Sequence, residues 1–173
     1  MSSLLSTPMS RLNRVVLILA LILVVAAFAI PAGAAPPQAL NFSFDVTYYD
    51  LPTRVASGSW SSDGLFAANG SIVEHASHVG SGPGVCFRTV HTTDTLEDQS
   101  GTITLQMQLT QNEGGGCATA EAKLNWVILS GTGAYADLHG QGSGTATGYV
   151  EVVAPGTLNY VLNYDLQGEG HFD

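Results

Sequence analysis

The chain has 173 residues, of which 45% are hydrophobic and 11% are charged. Three basic and 14 acidic residues follow position 34, so that part of the chain has a formal net charge of −11. Such acidity repels phosphate backbones and anionic membrane surfaces, which argues against binding to nucleic acid and against stable association with membranes.

The N-terminal segment has the order of a secretory signal peptide. Arg11 and Arg14 precede an uncharged apolar run from Val15 to Ile30, and the small residues Ala32-Gly33-Ala34 follow. This order predicts a hydrophobic signal helix over residues 1–34, cleavage after Ala34 and a secreted protein. The alternative is a membrane anchor over residues 15–30, a run slightly shorter than the ~17 to 25 residues of a typical membrane span.

After the signal segment, the sequence predicts a short linker at 35–40 and one all-β domain at 41–173. Phe42, Phe44, Val46 and Tyr48 alternate with polar residues, as in a strand with one buried face. Similar alternation and turn residues predict eight strands, near 41–49, 54–61, 64–77 with a bulge, 85–96, 102–111, 122–130, 143–153 and 158–168.

Antiparallel strands with one apolar face either close into a barrel or stack as two sheets, so we expect an eight-stranded β-barrel, with a β-sandwich as the alternative. An immunoglobulin-like sandwich places a tryptophan between its two cysteines. Here Trp60 precedes Cys86 and Trp126 follows Cys117, which favours the barrel. Because an exported protein with an even thiol count usually forms a disulfide, the same two cysteines predict a bridge.

The stretch LSGTGAYA, residues 129–136, matches the Gly-x-Gly-x-x-Ala pattern of dinucleotide-binding sites. A true site needs a helix of several turns after its glycines, whereas only Tyr135 to His139 separate Gly133 from the next glycine run. We therefore predict that the glycines shape the backbone and hold no cofactor: Gly131 and Gly133 in a turn, and Gly140, Gly142 and Gly144 on one face of a barrel corner. Tyr135 and Leu138 are expected to fold under the barrel as a small apolar plug.

The segment WVILSGTGAYADLHGQGSG, followed by YVLNYDL, resembles a bacterial family of small proteins of unknown function. That family has an allene-oxide-cyclase-like, dirigent-like (calycin-like) barrel, and the resemblance covers roughly residues 85–168. It implies an eight-stranded barrel whose functional relatives cyclise or orient small molecules in the lumen. No catalytic residue of plant allene oxide cyclases or dirigent proteins has a match in this sequence.

The remaining polar motifs do not form a recognisable catalytic or metal site. Glu74-His75 and His78 lack the order and spacing of a helical zinc motif, and a strand places residues three apart on opposite faces. Arg88 and Asp94 share one strand face while His91 lies on the other. No metal ligand set is therefore predicted.

The lumen is the remaining candidate site, lined by aromatic residues that can either fill it or hold one small apolar or aromatic ligand. Three functions stay open: a ligand-binding barrel, a cyclase- or isomerase-type enzyme, and a structural or interaction module of the cell surface. The predicted lining residues are Phe42, Phe44, Tyr48, Trp126, Tyr160 and Tyr164.

Overall fold

The computed structural model of the protein describes residues 36–49, 53–82, 85–111, 119–155 and 157–173. At residues 78–79, 81–82, 85–88 and 119–120 it describes the backbone only. Its described part is all-β apart from single short turns. The eight strands are β1 (Gln38–Tyr48), β2 (Val55–Gly64), β3 (Ala68–Gly82), β4 (Val85–Asp98), β5 (Gly101–Gln111), β6 (Thr119–Gly131), β7 (Leu138–Ala154) and β8 (Thr157–Phe172).

The strands form one closed antiparallel barrel in which every strand pairs with its neighbours in the chain. β1 closes the barrel against β8, in unbroken register from Gln38 opposite Gly170 to Tyr48 opposite Tyr160. Closure satisfies both edges of every strand, which an open sheet cannot do. The predicted barrel is confirmed, and the sandwich alternative is wrong.

Alternating side chains produce this closure because each strand has one apolar face. In β1 the residues Leu40, Phe42, Phe44, Val46 and Tyr48 are all buried. The other strands contribute the same face, and together they fill the barrel with one continuous core. Since the side-chain period of a strand is two, shifting the register by one residue would turn this entire row to the solvent.

Several strand boundaries differ from those predicted. β1 begins at Gln38, inside the predicted linker, and residues 65–67 connect β2 to β3, so a strand over 64–67 was a wrong prediction. Leu65 turns the chain here, its N–H donating to the carbonyl of Ala39 at 2.7 Å. Asp98 Oδ1 caps the hairpin turn between β4 and β5 by accepting from the N–H groups of Ser100 and Gly101.

The largest difference is at the glycine run, which lies inside β7 and not at its start. Gly140, Gly142 and Gly144 pair in unbroken register with β8. A Cβ on Gly142 would lie 2.8 Å from Cε2 of Trp126, so the missing side chain makes room for the indole ring. These glycines therefore act through close packing in the lumen, while the strand keeps its register.

No nucleotide-binding helix follows the other two glycines of the fingerprint. Gly131 ends β6, and Gly133, at φ +60°, begins a single 3-10 turn that ends at Tyr135. The predicted plug is present: Tyr135 and Leu138 are both buried. The ring of Tyr135 packs at a tilt against that of Phe66, at a centroid distance of 5.2 Å, and this closes one end of the barrel.

Two predictions fall outside the described residues. The signal segment lies within residues 1–35, while Cys117 and the side chain of Cys86 are also outside the description. Cleavage, secretion and the disulfide therefore stay predictions. Across the described ranges, no helix has the length and apolar character needed to span a membrane.

Candidate functional site: an acid–tyrosine cluster in the lumen

All six predicted lining residues point into the barrel, but they divide between two environments. Phe42, Phe44 and Trp126 belong to an apolar half near the plugged end, whereas Tyr48, Tyr160 and Tyr164 lie towards the opposite end, where β1 ends and β8 begins. Each of the six is at most 9% exposed. All six thus lie in the lumen, but the sequence did not show that the tyrosines lie beside buried acids.

Aromatic side chains pack the apolar half. The ring of Phe42 lies 5.5 Å from that of Trp126, 6.2 Å from Trp60 and 5.9 Å from Phe44, measured between centroids. Edge-on and tilted rings at these separations are favourable pairs. Phe44 in turn contacts Tyr164 at 5.9 Å, which joins the apolar half to the polar one.

The polar half is built around two carboxyl groups that are completely buried. Glu74 in β3 and Asp94 in β4 are direct cross-strand partners, and both are 0% exposed. Strand alternation forces them inward because their neighbours two residues away, Ile72 and Leu96, are core residues. We call Glu74, Asp94, Tyr48, Tyr164 and Thr92 the acid–tyrosine cluster.

Glu74 is the acceptor at the centre of this cluster. Tyr164 donates its hydroxyl to Oε2 at 2.8 Å, and Tyr48 donates to Oε1. Burial raises the pKa of Glu74, while hydrogen bonds from Tyr48, Tyr164 and Asp94 oppose that rise because they stabilise the ionised form. Burial also raises the pKa of Tyr164, and the charge of Glu74 adds to it, so that hydroxyl stays a donor.

Asp94 has the opposite role. The Thr92 hydroxyl donates to its Oδ2 at 2.9 Å, but Oδ1 has no donor. Burial and the neighbouring Glu74 raise the pKa of Asp94 well above its ordinary value. Two ionised carboxylates side by side would repel each other, so we expect one proton on the pair. We assign it to Asp94, which can donate it to Glu74, already the acceptor of two tyrosine hydroxyls.

This proton assignment leaves one negative charge in the lumen. Among the described residues, neither carboxylate forms an ion pair with a lysine or arginine. An unpaired buried charge is costly unless hydrogen bonds compensate it, as the two tyrosines do here. The arrangement places a proton donor, Asp94, beside a proton acceptor, Glu74, in a site that excludes water.

Two further polar groups in the lumen have no partner within the described structure. They are the hydroxyl of Tyr160 and the indole N–H of Trp126. Tyr160 is the cross-strand partner of Tyr48 and is 9% exposed, in contrast to 0% at Glu74 and Asp94. Buried polar groups are rarely left unpaired in native proteins, so a free hydroxyl at this position needs an explanation.

The sequence analysis did not identify Glu74 and Asp94, the two acids of the cluster, as a pair. Glu74 was considered only with His75 and His78, yet His75 is exposed and points away from Glu74. The useful signal was the pattern Ile72-x-Glu74 and Asp94-x-Leu96, in which an acid occupies a core-facing position on each of two neighbouring strands. Arg88 lies in β4, but its side chain is outside the described part.

The described side chains contain no group of three or more histidine, cysteine, aspartate or glutamate residues arranged to hold a metal ion. Comparisons with protein families, with curated protein sequences and with solved structures find no match to this chain.

Proposed function

We propose that the protein binds a small, largely apolar or aromatic molecule in the polar half of the lumen, with the ligand's polar group at the acid–tyrosine cluster. The observation that carries this proposal is the pair of fully buried carboxyl groups, together with the unpartnered hydroxyl of Tyr160. A barrel filled only for stability would gain more from apolar side chains at these positions, because replacing buried ionic groups by well-packed apolar ones is often neutral or stabilising.

The aromatic walls support an apolar or aromatic body for the ligand. Tyr48 and Tyr164 donate to Glu74, Phe44 packs against Tyr164 at a centroid distance of 5.9 Å, and Tyr160 is the cross-strand partner of Tyr48. The resemblance to allene-oxide-cyclase-like and dirigent-like barrels is consistent with a lumen ligand and remains part of the proposal. Secretion after cleavage of residues 1–34 belongs to the same proposal.

Because both carboxyl groups are sealed, the ligand must reach them by displacing side chains at the end of the barrel opposite Tyr135. Exposure rises towards that end, from 0% at Asp94 to 9% at Val90, four residues earlier on the same face of β4. Tyr160 lies at a similar level. We therefore assign the first contact with ligand to Tyr160 and Val90.

Native mass spectrometry of the protein purified from its own source tests this function. We expect a retained guest, seen as added mass that is lost on denaturation. Tyr160→Phe removes an unpartnered hydroxyl and should weaken guest retention without loss of stability. Tyr149→Phe, which alters an exposed tyrosine on the outer face of β7, is the matched control and should retain the guest.

A fluorescence titration with N-phenyl-1-naphthylamine, an apolar aromatic probe, gives a second measurement. Saturable binding that weakens in Tyr160→Phe but not in Tyr149→Phe is expected. If neither a guest nor the probe binds to the wild-type protein, the lumen has only a structural role and the proposed function is wrong.

An enzyme of the cyclase or isomerase type is the second candidate, favoured by one specific observation. Burial and Glu74 raise the pKa of Asp94 well above its ordinary value, whereas tyrosine hydrogen bonds oppose the rise in the pKa of Glu74. Pairs of acids whose environments separate their pKa values are typical of acid–base catalysis. Incubating the protein with its recovered guest in D₂O distinguishes the two functions. Deuterium at a carbon of the guest, absent with Asp94→Asn, would favour the enzyme over a simple binding protein.

A further inference from the structure

A groove crosses the outer surface of the barrel, on the face of the sheet that points away from the lumen. It spans β5 to β8 and has a volume of about 480 Å³. Its lining is polar, and the one apolar residue in it, Leu124, is buried beneath the surface. The polar lining residues are Gln108, Thr110, Lys123, Asn125, Ser143, Thr145, Asp165 and Gln167.

Strand register arranges these side chains in two parallel rows. One row runs Thr110, Lys123, Thr145, Asp165, and every neighbouring pair in it is a direct cross-strand pair. The second row, one pleat away, runs Gln108, Asn125, Ser143, Gln167 in the same manner. At about 4.8 Å between strands, four strands give each row a length of about 14 Å.

The short side chains of β7 form the floor of the groove. Ser143 and Thr145 lie between the longer side chains of β6 on one side and β8 on the other. Between them, Gly144 faces the lumen, where an added Cβ would come within 3.0 Å of Leu166. The glycine-rich packing of β7 therefore brings this strand close to the core and leaves the outer groove above it.

The polar groups of the groove are not used within the protein. None of its eight polar side chains forms a side-chain hydrogen bond or an ion pair in the described structure. Elsewhere on the outer surface such groups do pair: Asn163 donates to Asp45 at 2.8 Å, and Asn41 donates to Asp63 at 2.6 Å. The groove thus concentrates free donors and acceptors on one face of the barrel.

The chemistry of the lining selects for a neutral, hydroxyl-rich ligand. Amides and hydroxyls both donate and accept, as sugar hydroxyls do, and the charges of Lys123 and Asp165 cancel. A polyanion would meet a single lysine on a protein whose part after residue 34 has a net charge of −11. An apolar molecule would find no exposed apolar side chain among the lining residues, and an extended peptide would find no free strand edge in a closed barrel.

We propose that this groove binds neutral oligosaccharides, through the two rows of side chains across β5 to β8. The site is independent of the lumen function proposed above. A surface role for the barrel, one of the functions left open by its sequence, would then be recognition of a glycan outside the cell.

An array of neutral and acidic glycans, probed with the purified protein, tests the proposal. We expect binding to neutral oligosaccharides, followed by affinity measurement on the best of them by calorimetry. Asp165→Ala and Asn125→Ala should each weaken that affinity about tenfold, the effect of about 1.4 kcal/mol. Asp63→Ala, which removes an exposed carboxylate on β2, separated from the groove by strand β1, should change it by less than about twofold.

Each variant is also titrated with N-phenyl-1-naphthylamine, to distinguish an effect on the groove from an effect on the lumen. An unchanged probe titration with weakened glycan binding assigns the loss to the groove and shows that the barrel is intact. The proposal is overturned if no neutral glycan binds, if only acidic glycans bind, or if the groove variants bind as tightly as the wild type.

Discussion

Asp94 has an unusual environment for an aspartate, since it is fully buried, contacts a second carboxyl group and receives one hydrogen bond from Thr92. Its side chain is therefore more stable protonated than ionised. Glu74 remains the acceptor because two tyrosine hydroxyls already point at it. Two acids of similar intrinsic strength thus have immediate contacts that favour the protonated form of Asp94 and the ionised form of Glu74.

This difference predicts a pH dependence of stability that a surface carboxylate would not give. Burial, then Glu74, raises the pKa of Asp94 in the folded state, so the folded protein holds a proton that the unfolded chain releases above about pH 4. The free energy of unfolding should therefore fall as the pH rises from about 4 to the raised pKa, by up to about 1.4 kcal/mol per pH unit.

Urea unfolding between pH 4 and pH 8 measures this slope, with Asp94→Asn as the comparison. The amide donates to Glu74 without titrating, so the variant should lack this component and show a flatter profile. Asp45→Asn, at an exposed carboxylate, should keep the wild-type profile. Parallel profiles for wild type and Asp94→Asn would show that Asp94 is not protonated in the folded protein.

Among the strands, β7 depends most on residues without side chains. It is unbroken from Leu138 to Ala154, although a glycine run ordinarily weakens a strand. It is tolerated because Trp126, on β6, occupies the space above Gly142 and Gly168. Packing of a large ring into glycine positions is a tertiary effect, and this explains why sequence patterns placed the start of β7 five residues too late.

Gly142→Val should therefore destabilise the barrel. A Cβ at this position would lie 2.1 Å from the carbonyl oxygen of Gln167 and 2.8 Å from Trp126 Cε2, so both β8 and the indole must move. We expect a loss of at least about 2 kcal/mol in the free energy of unfolding, as for an overpacked core. Thr147→Val, at an exposed position of the same strand, should change it by less than about 0.5 kcal/mol.

Urea unfolding of both variants measures the difference. Wild-type stability in Gly142→Val would contradict the close packing described above. Saturable NAD binding by the wild-type protein, lost in Gly142→Val without a change of melting temperature, would instead restore the dinucleotide interpretation of the glycine run.

The strands also show which parts of the fold and of the candidate site could be predicted from the sequence alone. Alternation identified the strands and the six aromatic lumen residues, because burial of one strand face is a local property. The acid pair depends on Glu74 and Asp94 facing each other across β3 and β4, 20 residues apart in the sequence. That register is fixed by pairing along the whole hairpin, so local patterns show two isolated acids and miss the pair.

The described strands form a ring without a free edge, and its core joins distant parts of the chain. Trp60 in β2 and Trp126 in β6 both pack against Phe42 in β1. Loss of the pairing between β1 and β8 would expose the inward faces of both strands at once. We therefore expect the barrel to unfold as one cooperative unit.

The two tryptophans of the chain allow a direct measurement of this cooperativity. Trp60→Phe and Trp126→Phe each leave one tryptophan reporter, on β6 and β2 respectively. In each variant, the urea transition seen by tryptophan emission should coincide with the transition seen by far-ultraviolet circular dichroism. If emission and dichroism change at separate urea concentrations in either variant, part of the barrel unfolds independently.

The seal around Asp94 has a kinetic consequence. A proton held on a fully buried carboxyl group exchanges with the solvent only when the surrounding structure opens, so its exchange rate reports how often the barrel opens at that level. Any molecule that reaches Glu74 must pass through the same opening. At high ligand concentration the rate of capture in the lumen therefore approaches a ceiling, and that ceiling is the opening rate of the protein itself.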